Sequence, residues 1–400
     1  MFKKILTILI SIFSIGITKI QSVRLQNTEM YDNDLKPVLN VINKKDPVYK
    51  SAILIESNTG KVIEEENSRI RLPMASMTKV MSLILFFEAI EEKRLRLDQE
   101  LSCSDYAKSM GGSQIFLSVG EKMTVDDLLK SVCIASANDA TVMLAESISG
   151  SEKVFVSLMN KKAKELELND TMFNNCTGLP TNNHYTSAYD MARMSRYLIN
   201  NYPKVLEYSS KYEDYIRVGT PKQFWLVNTN KLVKHVQGVD GLKTGWTEEA
   251  GYCITSTMKQ DNMRLISVVM GAKTVNDRTG KVMSLFNYGF SNYKYQVILP
   301  KDTVVQVNKN ILLSPTTQNI VLKEDFGVLL ENNQKIDNYQ TKLIIDYSKI
   351  DNYEKDNVGV AEFYKDGKKI GNVSLCIKED IKKNSFFELY KEVLKSIFLY

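Results

Sequence analysis

Pro73-Met74-Ala75-Ser76-Met77-Thr78-Lys79-Val80-Met81 is the stretch on which the reading of this chain turns. A proline followed by a long apolar run opens a helix, and the periodicity predicts one from Pro73 to Glu92. On that helix Ser76 and Lys79 stand three residues apart and share a face. The apolar run from Val80 to Ile90 buries one side. The helix mouth offers free N–H groups and partial positive charge, which favour developing negative charge. A serine hydroxyl needs an adjacent base to become a nucleophile, and a lysine serves once burial or a nearby cation lowers its pKa. Two other Ser-x-x-Lys matches start at Ser256 and Ser291. Ser256 reads as late in a strand, and Ser291 follows Gly289 in a loop-like stretch. Only Ser76 sits at a helix start.

Outward from this segment the chain divides by period. Ser51–Glu56 reads as a strand, and Ser57–Gly60 turns it into a second, Lys61 to Glu65. Helices and polar loops alternate to residue 200, with amphipathic helices over Lys153–Leu168 and Ser187–Asn200. Strands return at Gly251–Met258 and Arg264–Gly271 about the turn Gln260-Asp261-Asn262. Strands at both ends of a helical middle predict an α+β domain with one mostly antiparallel sheet, over about 40–295. From 296 to 380 short alternating segments follow, with Asp366-Gly367 marking a hairpin, so a small all-β domain is expected there. Over 385–400, Phe386, Tyr390, Val393, Ile397 and Tyr400 line one helical face, and Glu388, Lys391, Glu392 and Lys395 lie opposite. Such a helix suits a membrane interface, or else docks on the β domain or a partner chain.

Composition narrows the function. With 52 basic and 47 acidic residues in 400, the net charge of +5 is too balanced for a nucleic-acid binder, and no dense basic block occurs. Phe2-Lys3-Lys4 ahead of the apolar run Ile5–Ile17 has the form of an export signal, taken as residues 1–22, with a retained anchor as the alternative. Either predicts an exported protein. The five cysteines are scattered, forming neither a disulfide framework nor a zinc site. The two histidines, His184 and His235, are too far apart for a two-histidine metal helix. No cofactor or metal is expected.

Two further motifs follow Ser76 in order. Ser136-Ala137-Asn138 is the only Ser-x-Asn in the chain, and Lys243-Thr244-Gly245 the only Lys-Thr-Gly. This trio is one known from serine β-lactamases and penicillin-binding proteins. Here the chain resembles the low-molecular-weight penicillin-binding proteins, the serine D-alanyl-D-alanine carboxypeptidases. Met110–Phe116, Ile134–Ala140, Val239–Gly245, Glu249–Tyr252 and Arg264–Val269 are similar to that family as well, and the β domain and terminal helix match its longer members.

The resemblance implies an enzyme that removes the terminal D-alanine from peptidoglycan stem peptides, binds β-lactams covalently, and works at the outer face of the cytoplasmic membrane. By motif position, Ser76 would form the acyl-enzyme with Lys79 as base. Ser136 would bridge the lysines and shuttle a proton to the leaving amine, and Asn138 would orient Lys79 and the substrate amide. Lys243 and Thr244 would bind the terminal carboxylate from an edge strand, and Gly245 would let the peptide lie close. The backbone N–H groups of Ser76 and Trp246 would form the oxyanion hole. Arg278 falls where the family carries an arginine near the carboxylate site, with a surface salt bridge as the alternative. Trp246 replaces a polar residue found there in several relatives. Three rivals share parts of this reading: a β-lactamase, a non-catalytic wall-binding or β-lactam-sensing protein, and a cross-link endopeptidase. Glu165-Leu166-Glu167-Leu168-Asn169 superficially matches the segment by which some β-lactamases activate water. Its place on the Lys153–Leu168 helix argues that these glutamates are solvated charges instead.

Overall fold

The computed structural model describes residues 48–336 and 338–398; the export signal expected over 1–22 lies outside them. In chain order its main elements begin with β1 (Ser51–Glu56) and β2 (Val62–Glu66). Five helices follow: α1 (Lys79–Glu91), α2 (Val125–Ile134), α3 (Asn138–Ser149), α4 (Glu152–Glu165) and α5 (Ala188–Asn201). Then come β3 (Val239–Thr247), β4 (Gly251–Gln260), β5 (Met263–Ala272) and α6 (Val275–Asn292). Side-chain oxygens of Thr124, Ser151, Ser187 and Thr274 cap the N-termini of α2, α4, α5 and α6.

The sheet order is β2-β1-β5-β4-β3, and every neighbouring pair is antiparallel. Successive strand residues face opposite sides, and both sides of β1 are covered. Ile53 and Ile55 point into a core shared with α1, α3 and α5, whereas Ala52 and Leu54 meet Leu285 and Phe286 of α6. The helical middle therefore packs on one face and α6 on the other, as an α+β chain should. β3, which carries Lys243-Thr244-Gly245, is left at the sheet edge. The Arg264–Asp240 ion pair, made through two hydrogen bonds of 2.7 and 2.8 Å, ties the start of β3 to β5.

Two local readings need correction. The helix expected from Pro73 is not continuous, because Ala75–Thr78 is a 3-10 turn and α1 begins at Lys79. Ala75 has φ +47°, which no right-handed helix accepts. Ser291 lies within α6 rather than in a loop. Its neighbour Gly289 is there for packing, since a Cβ would come within 2.5 Å of Leu265 and 3.0 Å of Leu54.

Beyond α6, antiparallel strands form a sheet in the order 304–309, 317–322, 368–377, 359–365 and 340–345. The Asp366-Gly367 turn joins two of them with positive φ at both positions, the geometry of a tight hairpin. Phe326 and Phe363 stack 3.6 Å apart in its core. A short helix, Tyr347–Asp351, interrupts this otherwise β region. The final helix spans Phe386–Phe398, and Phe386 and Phe387 are each 77% exposed.

The serine turn is clamped by two glycines. A Cβ on Gly178, at φ +88°, would stand 1.9 Å from the Ala75 carbonyl oxygen, and one on Gly245 would stand 2.7 Å from the Met74 carbonyl oxygen. Gly178→Ala should therefore lower stability by about 2 kcal/mol through clash and backbone strain together. It should also slow labelling of Ser76 by a fluorescent penicillin at least tenfold, read as urea midpoint and labelling rate.

Candidate active site

Ser76 sits one residue past the strained Ala75, on the 3-10 turn, so its hydroxyl is carried outward from the body of α1. Lys79 is the first residue of α1 and is fully buried. Its Nζ lies 3.0 Å from Ser76 Oγ, 2.6 Å from Asn138 Oδ1 and 2.7 Å from the Thr177 carbonyl. The last two can only accept, so a neutral amine spends its two hydrogens on them and turns its lone pair to the serine hydroxyl. A lysine amine taken out of water favours its neutral form, and a second cation nearby adds to that. Burial first, and the Lys243 charge second, hold Lys79 well below the ordinary lysine range. The group beside the serine is thus suited to accept a proton.

Asn138 opens α3 and is buried. One amide hydrogen is used on the Gly111 carbonyl at 2.7 Å, while its backbone N–H donates to Ser113 O at 2.7 Å. The next residue, Asp139, secures the facing loop by accepting from the backbone N–H groups of Ile115 and Leu117. Ser136 has φ +63°, and its hydroxyl is buried without a hydrogen-bond partner, so the expected bridge between the two lysines is not made.

Lys243 is buried in β3, and its Nζ donates only to the Thr244 carbonyl, at 3.0 Å. Burial, with the Arg278 charge adding to it, brings its pKa from 10.5 down to about 7. The Cys133 thiol beside it is pushed by burial up to about 12 and supplies no counter-charge at neutral pH. Thr244 donates its hydroxyl to Thr229 Oγ1 at 2.7 Å. Arg278, on α6, is also buried; Nη1 reaches the Cys253 carbonyl at 3.5 Å and Nε has no partner. It forms no ion pair among the described residues, so the alternative of a surface salt bridge is not what the structure shows. Gly245 presses the edge strand against the serine turn, a reason different from the peptide clearance expected of it. Trp246 is 58% exposed, its ring 6.0 Å from Tyr252.

The structure thus joins Ser76, Lys79 and Asn138 directly, and sets Lys243 and Arg278 close enough to act on one another electrostatically. Sequence reasoning missed the Thr177 and Gly111 carbonyls, Thr229 and Gly178. Backbone acceptors leave no mark in a sequence, and Thr229 stands in no motif. The β-lactamase-like glutamates lie elsewhere. The helix expected to reach Leu168 ends at Glu165, which pairs with Lys162 at 2.9 Å. Glu167 lies beyond it at φ +53° and faces Arg193 with its side chain 81% exposed. No carboxylate hydrogen-bonds Ser76 or Lys79 among the described residues. No metal-binding cluster occurs among them either.

A reactive serine beside a buried lysine, under an edge strand carrying a second lysine, defines a class of acyl-transferring active-serine enzymes. Residues 41–274 match the D-alanyl-D-alanine carboxypeptidase family, and residues 293–383 match the penicillin-binding protein 5 C-terminal domain. The chain belongs to the D-alanyl-D-alanine carboxypeptidase family. It is 41% identical to D-alanyl-D-alanine carboxypeptidase DacF of Bacillus subtilis over 86% of this chain and 89% of that protein. Among solved structures it is similar to penicillin-binding protein 5 of Haemophilus influenzae, at 26% identity and TM-score 0.66, covering 85% of this chain and 99% of that one. It also resembles penicillin-binding protein D2 of Listeria monocytogenes in a cefotaxime-bound form, at 31% identity and TM-score 0.56, over 62% and 99%.

Lys243 also yields a stability prediction. In the folded protein it loses its proton near pH 7, whereas a solvated lysine does so near 10.5. Between those values the unfolded chain binds more protons, so this residue's cost to folding is full below pH 7 and fades as pH rises. Lys243→Met should raise Tm at pH 6, raise it less at pH 9, and abolish peptide hydrolysis at both, as read by calorimetry and D-alanine release.

Proposed function

We propose that this chain is a serine D,D-carboxypeptidase that cleaves the last D-alanine from stem peptides ending in D-Ala-D-Ala, and that β-lactams acylate the same serine. One observation carries the exopeptidase part: Lys243 and Arg278 are buried near one another without a carboxylate partner among the described residues, and Lys243 is close enough to Lys79 to act on it electrostatically. Buried cations are costly unless an anion meets them. A peptide's free C-terminal carboxylate is such an anion, and one bound there puts the preceding peptide bond over Ser76.

Lys79 takes the Ser76 proton as Oγ attacks the carbonyl carbon of the penultimate D-alanine. The oxyanion is held by the N–H groups of Ser76 and Trp246, a term for which losing one donor commonly costs about 3 kcal/mol. The C–N bond breaks, and a proton passed from Lys79 through Ser136 reaches the departing amine. Water, activated by Lys79, then cleaves the ester and restores Ser76. The relay requires the Ser136 hydroxyl, which has no hydrogen-bond partner in the structure, to turn toward Lys79 and the departing amine, and the second amide hydrogen of Asn138 would serve the substrate carbonyl. Ser76→Ala should release no D-alanine from a diacetylated Lys-D-Ala-D-Ala peptide. For the unmutated protein, amidating that peptide's C-terminus should cut kcat/KM at least a hundredfold. Equal rates on acid and amide would remove the carboxylate site, and absence of hydrolysis altogether would favour the non-catalytic binder.

The β-lactamase reading requires a second base for deacylation, and the glutamates that suggested it are engaged far from this role. The cell wall places the activity outside the cytoplasm. We assign the final helix to the membrane surface: Phe386, Phe387, Tyr390 and Ile397 are exposed on it, while no helix among the described residues is long and apolar enough to cross a membrane. A chain ending at residue 383 should lose vesicle binding in flotation assays yet keep its kcat/KM on soluble peptide. Equal flotation of the two chains would assign the helix to a protein contact instead.

A further inference from the structure

We propose that His184 is a positioning residue for the oxyanion hole, setting the direction of the Ser76 backbone N–H through Thr78 and the Ala75 carbonyl. The proposal rests on the acyl-transfer reading above, which gives that N–H its task.

His184 and Thr78 are both buried; His184 stands outside the three motifs, and Thr78 fills one of the variable positions of the first. The imidazole Nδ1 accepts from the Asn174 backbone N–H at 3.0 Å. That group can only donate, so in the neutral ring Nε2 carries the hydrogen. Nε2 then donates to Thr78 Oγ1 at 2.7 Å, and the Thr78 hydroxyl hydrogen goes to the Ala75 carbonyl at 2.8 Å. Every polarity in this chain follows from the first donor. Burial brings the His184 pKa down to about 4, which keeps the ring neutral at working pH. Phe173 meets the ring edge-on at 6.0 Å, and Asn174 holds the loop closed by donating to the Asn182 and Asn183 carbonyls.

The end of the relay matters because a peptide unit is rigid and planar, with C=O and N–H pointing opposite ways. Ala75 O and Ser76 N belong to one such unit. Holding the carbonyl from behind therefore aims the N–H forward, and polarising the carbonyl makes that N–H a stronger donor. Ala75, at φ +47°, opens a single 3-10 turn and so lies outside the regular ladder of α1 that would otherwise set this orientation. Gly178 limits it sterically from one side only. His184 supplies what is missing: a directional restraint on a strained peptide.

Stopped-flow acylation by a chromogenic cephalosporin separates the pre-acylation dissociation constant from the acylation rate constant. His184→Asn keeps an acceptor for Asn174 but cannot reach Thr78, and Thr78→Val keeps shape without the hydroxyl. Each should slow acylation by about 10- to 100-fold, less than the roughly 100- to 1000-fold that losing an oxyanion donor outright costs, with the dissociation constant changed less than about twofold. His184→Gln, whose amide N–H lies near the Nε2 position, and Thr78→Ser should recover most of the rate. The double variant should be no slower than the slower single one. The inference is overturned if Gln and Asn are equally slow, if losses merely track Tm, or if the effects multiply. An unmutated protein that is never acylated would overturn the functional reading instead.

Discussion

The catalytic arrangement depends on one buried amine. Lys79 is held by hydrogen-bond partners from three separate places: the serine turn, the start of α3 and the loop at Thr177. Such an amine cannot be kept neutral by burial alone and still face its serine, because a flexible four-carbon side chain has many other rotamers. Three short contacts remove that freedom. The same contacts fix the relative positions of the elements that supply them, so the chemistry and the packing of the site are one constraint.

That constraint has a cost that the surrounding fold must offset. Lys243 and Arg278 are like charges in a poorly solvated region, Lys79 is an amine deprived of water beside them, and Ala75 and Ser136 adopt left-handed backbone conformations that cost roughly 1–3 kcal/mol each. The offset comes from cores on both faces of the sheet, with β1 buried throughout its length. Two of the chain's positive-φ residues, Ala75 and Ser136, and two cations without a carboxylate partner among the described residues, Lys243 and Arg278, belong to the site. Elsewhere, Asp240 and Arg264 pair and Asp139 collects backbone donors.

Much of this was legible in the residues. Period-2 and period-3.6 patterning located the strands and the amphipathic helices to within a few residues, and Ser76 stood out among three Ser-x-x-Lys matches because only it opened a helix. Illegible were the features set by backbone. A glycine reads the same whether it ends an element or lets two elements touch, so Gly289 suggested a loop where a helix crosses the sheet, and Gly245 suggested room for a ligand where a strand meets a turn. The Thr177 and Gly111 carbonyls belong to every residue type alike. His184 was visible only as one of two histidines, its partners being a variable position of the first motif and a backbone N–H.

The shared base also explains why peptides and β-lactams should fare differently on the same serine. Among the described residues no carboxylate hydrogen-bonds Ser76 or Lys79, so in the proposed mechanism Lys79 would act in both halves of the reaction. After peptide cleavage the leaving D-alanine is a separate molecule, and its departure opens the space from which water must approach. Opening a β-lactam ring breaks the same kind of bond, but the expelled nitrogen stays tethered to the acyl group through the second ring. On the proposed roles its carboxylate would remain opposite Lys243 and Arg278, and its bulk would stay where the water must enter. The cations proposed to make the site an exopeptidase would thus also retain the antibiotic fragment, leaving a site that hydrolyses its peptide vulnerable to the ring.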